Sequence, residues 1–186
     1  MKYKTIYLDP PWPEYGGGKI CRGAQRHYPL MEISEIMDLK DMIFNFADPD
    51  GCHMYMWVTN NHLPIGLKIL EHWEFTYITL ISWFKEGNIG LGQYFRGNTE
   101  HCIFARKGKL PYKVENGIRA QGKTGFIAKK SIHSKKPDEM YKLIEKVSYP
   151  PRIELFARGI ARSGWDIWGN EIESSMPIEN FNLEIF

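Results

Sequence analysis

The sequence predicts a doubly wound α/β domain, in which a mostly parallel sheet carries helices on both faces. Short β-branched and aromatic runs alternate with amphipathic helical segments along the chain. Several of these runs are apolar throughout, as in strands that are buried on both faces. The 186 residues, of which 43% are hydrophobic and 25% charged, can bury one core. We therefore expect a single domain over residues 1–186, with residues 170–186 as a C-terminal tail.

Six runs rich in β-branched and aromatic residues predict the strands. The first, Thr5–Leu8, must stop at the Asp9-Pro10-Pro11 sequence, because proline has no N–H to donate to a neighbouring strand. In chain order, the predicted strands cover residues 5–8, 52–58, 75–84, 101–105, 152–157 and 165–168.

Three helices are predicted between these strands. Ser34 can cap the first helix, because its hydroxyl can accept a hydrogen bond from an unpaired backbone N–H. Asn60 or Asn61 can cap the second, in which Pro64 occupies the first turn. Pro137 opens the third. The second helix is expected to present one apolar face, made of Leu67, Leu70 and Trp73.

A basic segment precedes the third helix, and residues 107–134 are predicted to form a long irregular loop. Between Arg106 and Lys136 the chain carries a net charge of +9, whereas the remainder carries −7. A basic block in an acidic body is typical of contact with a polyanion such as nucleic acid. A solvated loop that is basic by accident would explain the charge equally well.

This segment also contains a letter-for-letter match to the phosphate-binding P-loop, at residues 117–124. A functional P-loop needs a hydrophobic strand before it and a helix after it, so that backbone N–H groups surround the phosphate. Here the preceding residues 110–116 are polar and include a proline, and Gly125 follows at once. We therefore interpret the match as chance, which argues against a nucleoside triphosphatase.

The tetrapeptide Asp9-Pro10-Pro11-Trp12 is the motif that predicts chemistry. It follows the first strand, at the sheet edge where open α/β folds bind ligands. The prolines remove N–H donors, so that carbonyls and a carboxylate remain to accept hydrogen bonds from an amino group on a planar ring. Trp12 offers that ring a flat face. The alternative is a proline turn with a packed tryptophan, since short motifs also occur by chance.

Several classes of protein are not expected. No apolar run is long enough to span a bilayer, and the first residues lack the apolar region of a secretory signal. Cys21, Cys52 and Cys102 lie far apart and form no Cys-x-x-Cys pair. We therefore expect neither a disulfide framework nor a metal site, no membrane partner, and a cytoplasmic location.

The tetrapeptide resembles the catalytic motif of the adenine-N6 methyltransferases related to the seventy-kilodalton catalytic subunit of the mRNA adenosine methyltransferase. The resemblance covers nearly the whole chain in the order of that family, and its compact form is similar to the bacterial and phage members. The further segments that carry it are residues 57–59, 98–102, 133–139, 154–158 and 164–171.

The resemblance implies a Rossmann-like methyltransferase fold that uses S-adenosylmethionine, with the circularly permuted order in which the catalytic motif comes first. By similarity, Asp9 and the Pro10 carbonyl would hold the adenine amine, Pro11 would stiffen the turn and Trp12 would stack on the base. Tyr28 matches an active-site tyrosine of the family.

The same resemblance implies a set of cofactor contacts. Lys136 would bind the carboxylate of the methionine part, with Asp9 beside it. Phe156, Arg158 and Asn170 would contact the adenosine part. The eukaryotic members have His-Asn where this chain has Ile160-Ala161, and their adenine-clamping segment precedes the first strand. We therefore expect other residues to supply those contacts.

The predicted function is S-adenosylmethionine-dependent methylation of the N6 amine of adenine in DNA, because the short members of the family resemble phage and bacterial DNA modifiers. Methylation of RNA adenosine is the first alternative, and a catalytically silent nucleic-acid-binding partner is the second. Lys129 and Lys130, in the basic segment, are expected to contact substrate phosphates. The oligomeric state is left open.

Overall fold

The computed structural model describes residues 1–13, 30–87, 90, 94–130 and 136–169. The predictions for Tyr28, Asn170 and the tail at 170–186 lie outside these residues. The strands are β1 Thr5–Leu8, β2 Gly51–Val58, β3 Thr76–Glu86, β4 Thr99–Gly108, β5 Val114–Glu115, β6 Ile118–Arg119, β7 Gly125–Lys129, β8 Arg152–Leu155 and β9 Trp165–Trp168. The α-helices are α1 Ile33–Asp38, α2 Lys40–Phe46, α3 Leu63–His72 and α4 Asp138–Val147.

Seven strands form one sheet in the order β7-β3-β4-β2-β1-β8-β9. Strand β4 pairs antiparallel with β3 and β2, and the other four pairings are parallel. This arrangement confirms the mostly parallel sheet. The permuted order of motifs stays a prediction.

Side chains that alternate along the central strands build two separate cores. Ile6 and Met54 pack on the face that α1, α2 and α3 cover. Tyr7 and Tyr55, their sequence neighbours, pack on the opposite face with Met140 of α4. Because successive strand residues point to opposite faces, both faces of β1 and β2 are buried, which confirms the doubly wound prediction.

The first two helical predictions were wrong in detail. Glu32, not Ser34, is the N-cap of α1, and it forms a capping box with Glu35, whose carboxylate accepts the Glu32 N–H at 2.6 Å. The expected single helix is interrupted at Leu39 and continues as α2. In α3, Leu67 is 38% exposed, whereas Gly66, Ile69 and Leu70 are buried.

The basic segment is not one irregular loop. It contains the β5–β6 hairpin and β7, which pairs with β3 in the main sheet. Asn116 and Gly117 form the hairpin turn with φ values of 51° and 76°, and an Asn-Gly pair suits this left-handed geometry. The P-loop match therefore begins in a hairpin and runs into a strand rather than a helix, which agrees with a chance match.

The order in which strands are added to the sheet reverses direction at β1. From β1 the chain proceeds to β2 on one side, whereas β8 lies on the other side of β1 and leads outward to β9. The carboxyl ends of β1 and β8 therefore bound the crevice in which open α/β sheets bind ligands. In the part of the chain that the structure describes, no helix is both long and apolar enough to cross a membrane.

Candidate active site

Two predicted site segments flank this crevice. Asp9 follows the last residue of β1, and Phe156 follows the last residue of β8. Lys136 lies two residues before the start of α4, and its Nζ is 3.0 Å from Asp9 Oδ2. The fold thus brings together residues that are 127 positions apart, as the sequence predicted for Asp9 and Lys136.

The Asp9–Lys136 pair belongs to a longer row of ion pairs. Lys136 Nζ lies 3.0 Å from Glu100 Oε2, and Lys85 Nζ lies 2.5 Å from the other oxygen of Glu100. The Lys136 ammonium also lies 5.0 Å from the centre of the Trp57 ring. Glu100 and Lys85 were missed in the sequence, although Glu100 belongs to a segment that carried the family resemblance.

The charged groups in this row of ion pairs shift one another's pKa values. Burial raises the pKa of Asp9, and the Lys136 ammonium partly offsets this effect. Burial also acts to raise the pKa of Glu100, but Lys136 and Lys85 together lower it to about 2. Although burial alone would lower the pKa of Lys136, the two carboxylates raise it overall. Lys136 therefore stays protonated between two acidic groups.

The proline turn offers fewer acceptors than the sequence suggested. The Trp12 N–H donates to the Pro10 carbonyl at 2.8 Å, and the Met31 N–H donates to the Pro11 carbonyl at 2.9 Å. A carbonyl oxygen has two lone pairs, so each of these hydrogen bonds occupies only half the accepting capacity of its carbonyl. The Pro10 carbonyl is the one next to the Asp9 carboxylate in the chain.

Trp12 is packed rather than open. Its side chain is buried, its Nε1 donates to the Trp57 carbonyl at 2.9 Å, and its ring stacks on His62 with centroids 5.0 Å apart. The structure gives Trp12 the position of a packed turn residue, which was the alternative interpretation. The stacking of Trp12 on a substrate base stays a prediction.

Strained backbone marks the end of β8. Phe156 has a φ of 60°, which a residue with a Cβ rarely adopts, and its half-buried ring meets Trp168 edge-on at 5.5 Å. Next to it, a Cβ on Gly169 would clash with the Ala157 carbonyl oxygen. Such strain persists where the surrounding structure enforces it, often at ligand sites. Arg158 lies beside this turn, and its charge lowers the pKa of Asp9.

Glu154 is a second carboxyl group at the crevice that the sequence analysis did not assign. It lies on β8 and accepts a hydrogen bond from Tyr141 Oη at 2.8 Å. Burial raises its pKa to about 7, and the negative charge of Asp9 adds to the effect. Titratable groups whose pKa values are shifted by burial cluster at functional sites. A glutamate within a buried strand was therefore the signal in the sequence that could have identified Glu154.

The fold divides the basic segment between opposite edges of the sheet. Lys107 pairs in register with Cys52 near the start of β2, at the edge away from Asp9. Lys129 pairs in register with Glu86 at the carboxyl end of β3, on the same edge as Asp9. The +9 segment is therefore not one surface, because β4 runs antiparallel and carries its end to the far edge.

Lys129 and Lys130 are exposed at the end of β7, the outermost strand. Four strand spacings separate β7 from β1, which corresponds to about 19 Å. These lysines share an edge with Asp9 but lie at the other end of that edge, so their contact with phosphates stays a prediction.

The chain is similar to known methyltransferases. The MT-A70 family model matches residues 3–171. A relative named type II methyltransferase M.MunI, from Mycoplasma, is 30% identical over 92% of this chain and 78% of its own length. An MT-A70-like N(6)-adenosine-methyltransferase from Arabidopsis thaliana is 30% identical over 91% of this chain, and the human N(6)-adenosine-methyltransferase catalytic subunit METTL3 is 25% identical over 92%.

The eukaryotic relatives are much longer proteins, and the chain spans about a quarter of their length: 24% of the Arabidopsis protein and 28% of METTL3. The family model, in contrast, extends from just before β1 to just after β9 and so includes both sides of the crevice. With the sheet, the crevice and these matches taken together, the chain belongs to the MT-A70 family of methyltransferases.

Proposed function

We propose that the protein transfers a methyl group from S-adenosylmethionine to the N6 amine of adenine in nucleic acid, with DNA as the substrate. The observation that carries the proposal is the Asp9–Lys136 pair at the crevice between β1 and β8, with the Pro10 carbonyl next to it in the chain. A carboxylate and a carbonyl accept hydrogen bonds, and an exocyclic amine has two N–H groups to donate.

The residues present fit S-adenosylmethionine. Its methionine part carries one carboxylate and one ammonium, and the crevice offers charges of both signs. The Lys136 ammonium has three donors, of which Asp9 and Glu100 take two, so a third would bind the carboxylate. Asp9 would attract the positive charges, and the Phe156 ring at the end of β8 would contact the adenine. When bound, the cofactor supplies an electrophilic methyl group on a positively charged sulfur.

Residues of the protein would activate the adenine N6 amine for attack on the methyl group. The lone pair of an adenine amine is delocalised into the ring, which makes the amine a poor nucleophile. Asp9 and the Pro10 carbonyl would accept hydrogen bonds from it, concentrate the lone pair on nitrogen and stabilise the positive charge that develops during attack. Burial strengthens such an interaction, because fewer water dipoles compete with the carboxylate.

The choice of DNA over RNA rests on the similarity to the Mycoplasma type II methyltransferase, which is 30% identical to this chain over 78% of its own length. The N(6)-adenosine-methyltransferases from Arabidopsis and human are 30% and 25% identical. RNA adenosine remains the alternative substrate, because those relatives are named for it.

Incubation with isotopically labelled S-adenosylmethionine and a mixture of DNA and RNA tests the proposal. Mass spectrometry of the digested nucleosides should find the label in N6-methyldeoxyadenosine. Label in N6-methyladenosine would assign RNA instead, and label in neither nucleoside, with bound cofactor demonstrated by calorimetry, would contradict the proposed reaction.

A further inference from the structure

Two aromatic side chains next to the active-site edge are almost fully exposed. Tyr94 is 92% and Phe95 90% exposed in the loop that joins β3 to β4. Water contact with a large ring is costly, and contiguous exposed apolar groups mark interaction sites. These two rings are much more exposed than Tyr112, an aromatic residue near the opposite sheet edge that is 47% exposed.

The loop that carries these rings is tied to the sheet. The Lys85 N–H donates to the Asn98 carbonyl at 2.8 Å, and the Gly90 N–H donates to the Gly97 carbonyl at 2.6 Å. Arg96 Nε donates back to the Gly90 carbonyl at 3.0 Å. These hydrogen bonds join Lys85 and Gly90 to residues 96–98, which directly follow Tyr94 and Phe95 in the chain.

Strands β3 and β7 carry further exposed apolar side chains toward the same sheet edge. Phe84 of β3 and Ile127 of β7 are partners in register, and they are 48% and 69% exposed. Both point away from the core that buries their sequence neighbours Trp83 and Ala128. We call the surface formed by Phe84, Tyr94, Phe95, Ile127, Lys129 and Lys130 the β7 corner.

The charge at the β7 corner favours an anionic partner. Lys129 and Lys130 are exposed where β7 ends, and Arg96 lies in the adjoining loop. Glu86 is the acidic residue in register with Lys129, so positive charge prevails. Two copies of such a surface would repel each other. Aromatic rings beside lysines are the combination with which proteins bind unpaired nucleotides, the rings by stacking and the lysines through phosphates.

We propose that the β7 corner binds unpaired nucleotides that flank the target adenine: Tyr94 and Phe95 stack on bases while Lys129 and Lys130 contact phosphates. This inference rests on the proposed function, since it places the substrate strand along one sheet edge. The β3–β4 loop lies two to three strand spacings from β1 and β7 lies four, a range of about 10–19 Å that corresponds to about three to six nucleotides of stacked strand. A strand held at the corner would therefore leave one base within reach of Asp9.

Binding of a fluorescently labelled single-stranded DNA oligonucleotide of about 16 nucleotides tests the proposal. The Tyr94→Ala/Phe95→Ala double variant is expected to raise the dissociation constant at least about tenfold, and Phe95→Trp should retain affinity. Lys129→Glu/Lys130→Glu should weaken binding and flatten its salt dependence. Ile118→Ala, an exposed apolar residue in the hairpin at the opposite edge, is the matched control and should bind like the wild type.

Two readouts distinguish failure of this inference from failure of the proposed function. Cofactor affinity, measured by calorimetry without nucleic acid, should be equal in all these variants. If the wild type binds the oligonucleotide through the corner but methylates no adenine, only the proposed reaction fails. Unchanged oligonucleotide affinity in the Tyr94→Ala/Phe95→Ala variant overturns the inference. So does sedimentation showing that this variant breaks a wild-type dimer without weakening oligonucleotide binding, because the corner would then be a contact between copies.

Substrate length gives an independent check. A trinucleotide that contains the target adenine is too short to reach the corner, so the aromatic variants should methylate it as the wild type does. With the long oligonucleotide the same variants should show a raised KM and a nearly unchanged kcat. An equal loss on both substrates would contradict the placement, because it would indicate an effect at the reaction site itself.

Discussion

Asp9 is a carboxylate under two opposing influences. Burial raises its pKa, and Lys136, 3.0 Å away, acts in the other direction and favours the ionised form. The lysine contacts Oδ2, and each carboxylate oxygen has a further lone pair with which to accept a hydrogen bond. A group in this position can accept a hydrogen bond from an amine without losing its contact with the cation that keeps it charged.

Replacement of Asp9 tests its assignment to the reaction. Asp9→Ala should abolish methyl transfer, and Asp9→Asn should lower kcat about 10²-fold or more, the effect of removing one preorganised charge. Asp41→Asn, an exposed aspartate in α2, is the control. Circular dichroism should show that all three variants are folded. Near-normal turnover in Asp9→Ala would exclude the residue from the reaction and favour a purely structural proline turn.

Lys136 and Glu100 should change the pH dependence of activity in opposite directions. Lys136 lowers the pKa of Asp9 and Glu100 raises it. If Asp9 must be ionised, Lys136→Met should move the acidic limb of the kcat/KM profile to higher pH, and Glu100→Gln should move it lower. Lys136→Met should also weaken cofactor binding in the absence of nucleic acid. Shifts in the same direction would contradict the opposing effects of Lys136 and Glu100 on Asp9.

Glu154 should make stability depend on pH. Its pKa of about 7 in the folded protein exceeds the ordinary value of 4.5, so the folded state binds the additional proton. The resulting stabilisation is complete below about pH 4.5 and is lost as the pH rises through 7. Glu154→Gln resembles the protonated form, so urea unfolding should show the variant gaining stability relative to wild type between pH 5 and about pH 8. Glu139→Gln, an exposed change in α4, should show no such trend.

A buried polar cluster joins α4 to the sheet, away from the active site. Ser148, which follows α4 directly, lies 2.8 Å from both His53 Nδ1 and Tyr55 Oη, two side chains of β2. All three are nearly inaccessible, and burial lowers the pKa of His53 to about 4. The cluster fixes the end of α4 against β2, and α4 follows the residue pair that contains Lys136. Packing at one edge of the sheet thus positions a charge at the other.

Removal of the Ser148 hydroxyl should therefore destabilise the fold. Ser148→Ala leaves two buried polar groups without their shared partner, which costs about 1–3 kcal/mol in the free energy of unfolding. Urea denaturation measures it, and Ser163→Ala, at an exposed position before β9, is the control. An unchanged midpoint would mean that His53 and Tyr55 find other partners once the hydroxyl is gone.

The whole molecule concentrates its chemistry at one edge of the sheet. Asp9, Phe156 and Lys129 follow or end parallel strands, whereas Glu100 lies near the start of the antiparallel β4. Because β4 runs in reverse, its start lies beside the ends of its neighbours. The same reversal carries Lys107 to the opposite edge. One antiparallel strand therefore brings Glu100 to the site and removes part of the basic segment from it.

Local patterns in the sequence were sufficient for most of the elements. Alternating apolar residues and proline stops predict a strand from the residues within it, so β1, β2, β8 and β9 were found close to their observed bounds. The helix after Pro137 was also predicted from local sequence, because acidic residues occupy its first turn. The rejection of the P-loop was likewise local, because the residues around the match exclude its strand and helix.

The functional assignments depended on more than local pattern. From the sequence alone, the tetrapeptide and the strand that precedes it predicted a site at Asp9, and the family resemblance predicted that Lys136 belongs to the same site. Tertiary structure alone decided that Glu100 and Lys85 form ion pairs that continue the Asp9–Lys136 pair, that Trp12 is buried against His62, and that β7 joins the sheet. These features depend on which distant strands pair and in which direction, and no residue encodes that pairing in its immediate neighbours, because the free energy of pairing arises from contacts between segments far apart in the chain.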